Sequence, residues 1–485
     1  MNAPATVPVT LSHAQIRSIL LAVTLAMLIG ALDQTTVATA LPTIGRELGD
    51  VVLLPWVVTI YMITGTAVTP LYGKAADIHG RRVMMLVAIA ISAIGSVGAA
   101  LAPSMPALIA ARAFQGLGGG GLISLAQTIL ADLVPPRERG RYQAYFSSVF
   151  AIASVVGPIV GGFVAQHLSW PLVFWINVPL GVAALVMCNI RLKAMPRHER
   201  PHKLDFVGAA LIMASTIAFL LVLSWGGARY PWASAPIVGL FVMAIILGTL
   251  FALRLRTAPE PLVPLEILSN PIVIYAMAAT SFSMGIFFGL VVFIPIYFEL
   301  VIGLSASGAG LALIPLMAGT VTGAVFAGRV MMRVARYKRP TLACVALAAA
   351  CTALLAAFPR DLPLWFIEAL LLLISFGIGS TLPITLVSVQ NVVPTHQLGT
   401  ATATTNFFRQ LSGAFAVALF GAIILGGAGG GLSRQAIREG VASSVDMAPA
   451  FAYTFGVAAF ALVAAFVTIL FMEERPLRSS HAPPR

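Results

Sequence analysis

The sequence predicts an all-α integral membrane protein, with fourteen transmembrane helices arranged as two six-helix halves plus two inserted central helices. Three observations lead there. Of 485 residues, 59% are hydrophobic and only 9% are charged, and the mean hydropathy is +0.96, whereas about a quarter of a soluble domain is charged. The apolar residues gather into runs of about 17 to 25 residues, the length that crosses a bilayer as a helix. Finally, Lys and Arg collect in alternate connections between those runs, as the positive-inside rule requires of a membrane protein.

The runs cover 16 to 40, 52 to 73, 83 to 102, 107 to 131, 143 to 166 and 171 to 191, then 205 to 225 and 235 to 255. Six more follow at 272 to 298, 307 to 330, 340 to 358, 363 to 388, 399 to 427 and 450 to 472. The run opening near Arg17 is too long for a removable signal peptide and lacks a suitably placed small-residue cleavage site, so it reads as the first helix. A weak internal repeat divides the chain. The spacing from Pro135 to Gly140 recurs from Pro394 to Gly399, and the basic stretch Gly328 to Arg339 occupies the second half's counterpart of Gly73 to Arg82. These give an N-terminal half at 1–194, a basic linker with two inserted helices at 195–258, and a C-terminal half with its tail at 259–485.

An even number of spans places both termini on one side. The terminus-side connections hold 22 of the 29 Lys and Arg, while the opposite side holds only Arg46, Arg229, Arg360, Arg434 and Arg438. The termini are therefore expected in the cytoplasm and the protein in the cell (inner) membrane. The net charge of +12 is dispersed among short loops rather than forming a patch with interleaved aromatics, which excludes a nucleic-acid surface. Cys188, Cys344 and Cys351 sit within apolar runs without metal-ligand spacing, so neither a disulfide framework nor a metal site is expected. No phosphate-binding GxxxxGK[ST] or catalytic constellation appears, and the sequence implies neither an enzyme nor a cofactor.

Chemistry is concentrated in a few polar positions. GKAADIHGRR, from Gly73 to Arg82, sets a carboxylate and two guanidiniums in a glycine-punctuated loop between the second and third runs. Asp33 lies inside the first run, where a charge costs on the order of 2.5 to 3.5 kcal/mol by insertion scales. Arg112 is equally isolated within RAFQGLGGGG of the fourth run, and the fifth run carries AIASVVGPIVGG.

These residues resemble the motifs of the major facilitator superfamily, and in particular its fourteen-helix drug:proton antiporter branch. Gly73, Asp77, Gly80, Arg81 and Arg82 match the family's loop between helices 2 and 3, although Ile78 stands where Arg is usual. Leu32, Asp33, Thr36, Val37, Ala40, Leu41 and Pro42 resemble the helix 1 signature of the branch, and Arg112, Gln115 and Gly116 the helix 4 motif. Gly157, Pro158, Gly161 and Gly162 are similar to the motif that separates exporters from importers, with a proline kink and close glycine contacts as its physical content.

The resemblance implies a division of labour. Asp33 would bind the proton, since desolvation disfavours the charged form of a carboxylate, and Arg112 would couple that event to conformation. The alternatives are a permanently paired structural aspartate and an arginine that only hydrogen-bonds backbone or Gln115. Asp77, Arg81 and Asp132, with Gly73, Gly80 and Arg82, would form a conformational gate joining helices 2, 4 and 11. Gln34, Gln115, Glu299, Asn406, Arg409 and Gln410 are candidates for the cavity lining. Thr402, Asn406, Arg409 and Gly413 share one helical face, which either lines the cavity or joins an interhelix seam.

The function so implied is proton-coupled export of amphipathic drug-like compounds, cationic or neutral, by alternating access. An exporter of an endogenous lipid or metabolite would share every motif. A non-transporting membrane sensor would need an appended soluble domain, and the longest cytoplasmic segments are about a dozen residues. The expected partners are a small amphipathic substrate, protons and the lipid bilayer, with a periplasmic adaptor left open.

Overall fold

A computed structural model describes residues 13–49, 53–195, 204–227, 229–334, 336–427 and 447–477. Arg434, Arg438 and most of the basic linker, 196–203, lie outside the described residues. Helices dominate: α1 (His13–Leu48), α2 (Trp56–His79), α3 (Arg81–Ala100), α4 (Met105–Leu133) and α5 (Pro136–His167) are followed by the short α6 (Leu172–Trp175) and by α7 (Asn177–Arg191). Next come α8 (Phe206–Trp225), α9 (Ala235–Thr257), the short α10 (Leu265–Ser269), α11 (Pro271–Tyr297), the short α12 (Ala306–Leu311) and α13 (Ile314–Arg333). The last four are α14 (Lys338–Ala357), α15 (Leu364–Val392), α16 (Leu398–Gly427) and α17 (Ala448–Phe471).

Among the described residues, 12 helices are long and apolar enough to cross a membrane. That is fewer than the fourteen expected, because α2 and α5 do not qualify. Both are long, 24 and 32 residues, but threonines and glycines dilute α2, and α5 opens on the polar run Pro136 to Arg141. Both line the boundary between the two groups of helices, where polar side chains find partners other than lipid.

One kind of close helix crossing occurs in each of the two halves expected from the sequence. In one half α2 crosses α4 at Gly65 and Gly120, and in the other α13 crosses α15 at Gly323 and Gly379. A Cβ on Gly120, Gly323 or Gly379 would strike the facing backbone, while one on Gly65 would meet it at van der Waals contact. The halves meet along α2 with α16 and α5 with α13. Helix α8 packs against α9, α2 and α16, while α9 buries only Ile237, Ala244 and Leu255. The inserted pair is pinned at both ends. Asp205 caps α8 by accepting from Gly208 N–H and pairs with Arg254 of α9 at 3.2 Å, and Trp225 stacks edge-on against Trp56 of α2 with centroids 5.6 Å apart.

One boundary differs from the sequence reading in a way that matters. The segment Gly73 to Arg82 is not a loop: α2 continues through His79 and α3 starts at Arg81. Only Gly80 interrupts them, with φ 90°, a left-handed conformation that favours glycine because it lacks Cβ. The chain therefore reverses at a single residue, which leaves Gly73 and Asp77 on a rigid helix.

Candidate functional site

The first cluster is built wholly within the N-terminal half. Asp33 and Arg112, 1% and 0% exposed, form an ion pair in which Arg112 Nη1 lies 2.5 Å from Asp33 Oδ2. Asp33 Oδ1 accepts from Gln115 Nε2 at 2.9 Å and from Asn177 Nδ2 at 2.8 Å. Arg112 also donates from Nε to the Val57 carbonyl at 3.0 Å and from Nη1 to Gln115 Oε1 at 2.7 Å. Its guanidinium stands 4.3 Å from the centroid of the Tyr61 ring, an arrangement that stabilises a desolvated cation. Gln115 completes the network by donating to Ser96 of α3 at 2.8 Å. Gly95 permits that reach, because a Cβ there would lie 2.5 Å from the Cα of Gln115 and force α3 away from α4.

This geometry places the predicted proton residues together and corrects one assignment. Gln115, expected in the cavity lining, is fully buried and serves the ion pair. Asn177, Tyr61 and Ser96 were missed by the sequence reading; a lone polar Asn177 in the apolar run WINVPLG was the available signal. Only one donor of the cluster, Arg112 Nη2, is buried without an acceptor among the described residues. Two opposite charges taken from water hold each other only when their remaining hydrogen-bonding capacity is met, so protonating Asp33 would remove the main partner of Arg112.

The second cluster closes the end of the bundle that bears the basic loops. Arg81 bridges Asp77 at 2.8 Å and Asp132 at 2.7 Å, and also donates to the Ala76 carbonyl. Across the boundary between halves, Asp77 accepts from the backbone N–H of Gly399 at 3.1 Å and of Thr400 at 2.8 Å, and from the Thr400 hydroxyl at 2.7 Å. A carboxylate of one half thus caps the N-terminus of α16 in the other, where unpaired N–H groups and the helix dipole both favour negative charge. Gly73 and Gly399 make the approach feasible: a Cβ on Gly73 would strike Ala403, and one on Gly399 would lie 2.7 Å from the Gly73 carbonyl oxygen.

Arg82 does not join this cluster. It donates to Asn189 Oδ1 of α7 at 2.5 Å and ties α3 to its own half. Arg139, which the sequence reading did not single out, does contribute: it donates to the carbonyls of Val134 and Ala131 and to Gln390 of α15 at 3.2 Å.

The remaining candidates divide. Asn406 donates to Gln127 Oε1 at 2.6 Å, and Gln410 accepts from Thr66 at 3.3 Å while donating to Thr69 at 3.4 Å. Both therefore sit in the seam between halves. Asn406 also lines a small cavity there, together with Arg409, Gln127, Phe146 and Thr385. Gln34 is exposed on α1. Glu299 is exposed in a π-helical turn, Phe298–Ile302, beyond α11, and does not line the small cavity of Arg409.

The glycine-proline motif of α5 acts on α1. A Cβ on Gly157 would collide with Thr35, and one on Gly161 would lie 2.7 Å from the Cα of Thr36. Thr35 donates to the Ala153 carbonyl at 2.9 Å across this contact. Gly162 has nothing within 4 Å of the position a Cβ would take, and Pro158 is exposed, so the contact rests on the first and third of the four residues.

Comparison with known proteins follows the same lines. The sequence model of the Major Facilitator Superfamily matches residues 23–417. Multidrug resistance protein 3 of Bacillus subtilis is 30% identical over 502 residues, covering 97% of this chain and 98% of that protein. An uncharacterized MFS-type transporter of Mycobacterium tuberculosis is 34% identical over 432 residues, and the aligned region spans 87% of this chain but 63% of that protein's length. Among solved structures, the proton:xylose symporter XylE aligns with a TM-score of 0.62 at 17% identity over 95% of this chain and 96% of its own. A bacterial homologue of the iron transporter ferroportin, in an outward-facing state, aligns with a TM-score of 0.63 at 12% identity over 93% of this chain and 100% of its own. At these identities the structural likeness establishes the fold alone.

Proposed function

The chain belongs to the Major Facilitator Superfamily, and from that premise we propose that it is a proton-coupled exporter of amphipathic drug-like compounds working by alternating access. Membership makes it a multi-pass membrane transporter and not an enzyme. The observation that carries the finer reading is the Asp33–Arg112 pair, sealed from solvent inside one half and held by four helices besides α1. An intramembrane ion pair of this kind is expensive to bury and serves best where one partner changes its charge during turnover.

In this reading α2 and α5 are also spans, giving fourteen, with both termini in the cytoplasm and the protein in the cell membrane. The segments 1–194 and 259–485 are the moving halves, and α8 and α9 fill the gap beside α2 and α16. The inter-half hydrogen bonds of Asp77, Arg139, Gln127 and Gln410 hold the halves together on the cytoplasmic side of the midplane. Protonation of Asp33 frees Arg112 and cargo binding shifts the same equilibrium, so each alters the affinity for the other. One proton crossing 100 mV supplies about 2.3 kcal/mol, and each pH unit adds about 1.4 kcal/mol, which suffices to concentrate a neutral compound several hundred-fold.

Export rather than import is supported by the α1–α5 glycine contact and by relatives named for efflux, among them Multidrug transporter protein MdtP of Bacillus subtilis, 30% identical over 82% of this chain. The test is efflux of a fluorescent dye from cells carrying wild type or Asp33→Asn, with and without an uncoupler. Wild-type efflux that stops with the uncoupler, and no efflux by the variant, is the expected result. Efflux indifferent to both treatments would sink the proton-coupled reading.

A further inference from the structure

The arginines buried in this bundle differ in one respect. Arg112 is paired with Asp33 and Arg139 bonds carbonyls and Gln390, but the guanidinium of Arg409 of α16, 9% exposed, makes no salt bridge or hydrogen bond among the described residues. Its Nε is buried with no acceptor. A buried guanidinium without an anion is strongly unfavourable, and the acidic groups that might relieve it are committed elsewhere. Asp33, Asp77, Asp132 and Asp205 each pair with another arginine, and Glu299 is exposed beyond α11. Glu368 lies near the opposite end of α15 from Thr385, 17 residues away, which is roughly 25 Å along a helix.

Arg409 faces space rather than packed side chains. It lines a cavity of about 50 Å³ between the halves, walled by Gln127 of α4, Phe146 and Phe150 of α5, Thr280 of α11 and Thr385 of α15. Gln127 adds a second donor set, because Asn406 uses its amide oxygen and leaves its amide N–H₂ without a partner among the described residues. The wall has donors and aromatic rings but no carboxylate. Fifty cubic ångströms holds an anionic head group and not a whole drug, so the apolar body of a ligand must extend along the aromatic wall as the halves part. The Asn406–Gln127 bond, one helical turn nearer the gate on α16, closes the recess on that side.

We infer that this recess binds the acidic group of the transported compound, so that the cargo is an organic anion or zwitterion with an apolar body. The inference rests on the exporter reading and narrows its substrate class, replacing the expectation of cationic or neutral cargo. A cation beside an unneutralised guanidinium meets repulsion, which excludes it without any shape requirement. For a one-for-one exchange, a proton entering and a monoanion leaving both move positive charge inward, whereas exchange for a monocation moves none.

The test compares three ligands of matched shape on the purified full-length protein: 1-naphthaleneacetate, 1-naphthaleneacetamide and 2-(1-naphthyl)ethylamine, by binding and ligand-induced thermal stabilisation in detergent, with acetate and chloride as controls for simple anions. Wild type should bind the acid at least tenfold more tightly than the amide or the amine, and more tightly than acetate or chloride. Arg409→Gln should abolish the preference and Arg409→Lys should keep part of it. Equal binding of the three naphthalene compounds by wild type overturns the proposal even if the variants do not fold, as does an acid preference that survives in Arg409→Gln, or chloride binding as tight as that of the acid. Because no gradient is involved, acid preference without uncoupler-sensitive efflux would overturn the export reading and leave the recess assigned, and the reverse pattern would overturn the recess alone.

Discussion

The Asp77 carboxylate and Thr400 are joined twice, through the backbone N–H at 2.8 Å and the hydroxyl at 2.7 Å, although they belong to opposite halves of the bundle. The contact places a charge from α2 on the positive end of α16. Breaking it costs an ion-dipole interaction, two or three hydrogen bonds and the alignment of Arg81 together, which suits a latch that must release as a unit.

Asp77→Asn keeps the shape and removes the charge. Hydrogen bonds to charged groups contribute about 1.5 to 3 kcal/mol, so the ratio of closed to open gate should fall by roughly tenfold or more. Alkylation at position 403 of an Ala403→Cys variant in which Cys188, Cys344 and Cys351 are replaced by alanine, where the native side chain faces Gly73, should speed up by that factor. Substrate affinity should be nearly retained. A large loss of equilibrium binding would instead place Asp77 in the recognition site.

Asp33→Asn should abolish drug-dependent proton movement in energised inverted vesicles while the protein still inserts. It should also lower thermal stability, because removing one partner of a buried pair leaves the other uncompensated at a cost of about 3 kcal/mol or more. The double variant Asp33→Asn with Arg112→Gln should regain much of that stability and none of the coupling. Recovery of neither, or of both, would contradict the division between holding the fold and handling the proton.

Arg112→Lys preserves charge and loses the fork. One ammonium cannot reach Val57, Gln115 and Asp33 in the geometry that Nε and Nη1 share here. Antiport should fall at least tenfold in vesicles. Full activity in the lysine variant would show that charge alone suffices at this position.

Gly161→Ala and Gly162→Ala make a matched pair one residue apart. The first places a methyl group against α1, with an overpacking cost of about 1 to 3 kcal/mol, and the second adds one in open space, with helix propensity favouring it by up to about 1 kcal/mol. Thermal unfolding in detergent should separate them clearly. Equal melting temperatures would remove the α1–α5 seam as the basis of the motif.

The residues legible in the sequence were those whose presence in an apolar run carries a cost. Asp33 and Arg112 stand out because charge is expensive there, and the structure brings them into contact across 79 positions of sequence. Neutral partners carry a weaker signal. Asn177, Ser96 and Thr400 belong to residue types that membrane helices commonly tolerate, and only three-dimensional proximity reveals what they bond. Gln115 and Arg409 were both noticed, yet periodicity could not tell a residue facing a cavity from one facing an ion pair, since both lie on inward faces. The same logic runs in reverse for the helix count: twelve helices among the described residues pass on length and composition, and α2 and α5 fall short because their polar residues border other helices.

Helix α3 carries Arg81 at its first residue and Ser96 fifteen positions on, about 22 Å away along its axis. Its near end is clamped to Asp77 and Asp132, and its far end receives the Gln115 amide beside the acid. A stiff rod with one tip at the Asp77–Asp132 cluster and the other in the ion-pair cage would transmit any tilt without an intervening relay. Letting go of the threonine across the divide and loosening the cage around the buried pair can then be two readings of a single mechanical displacement.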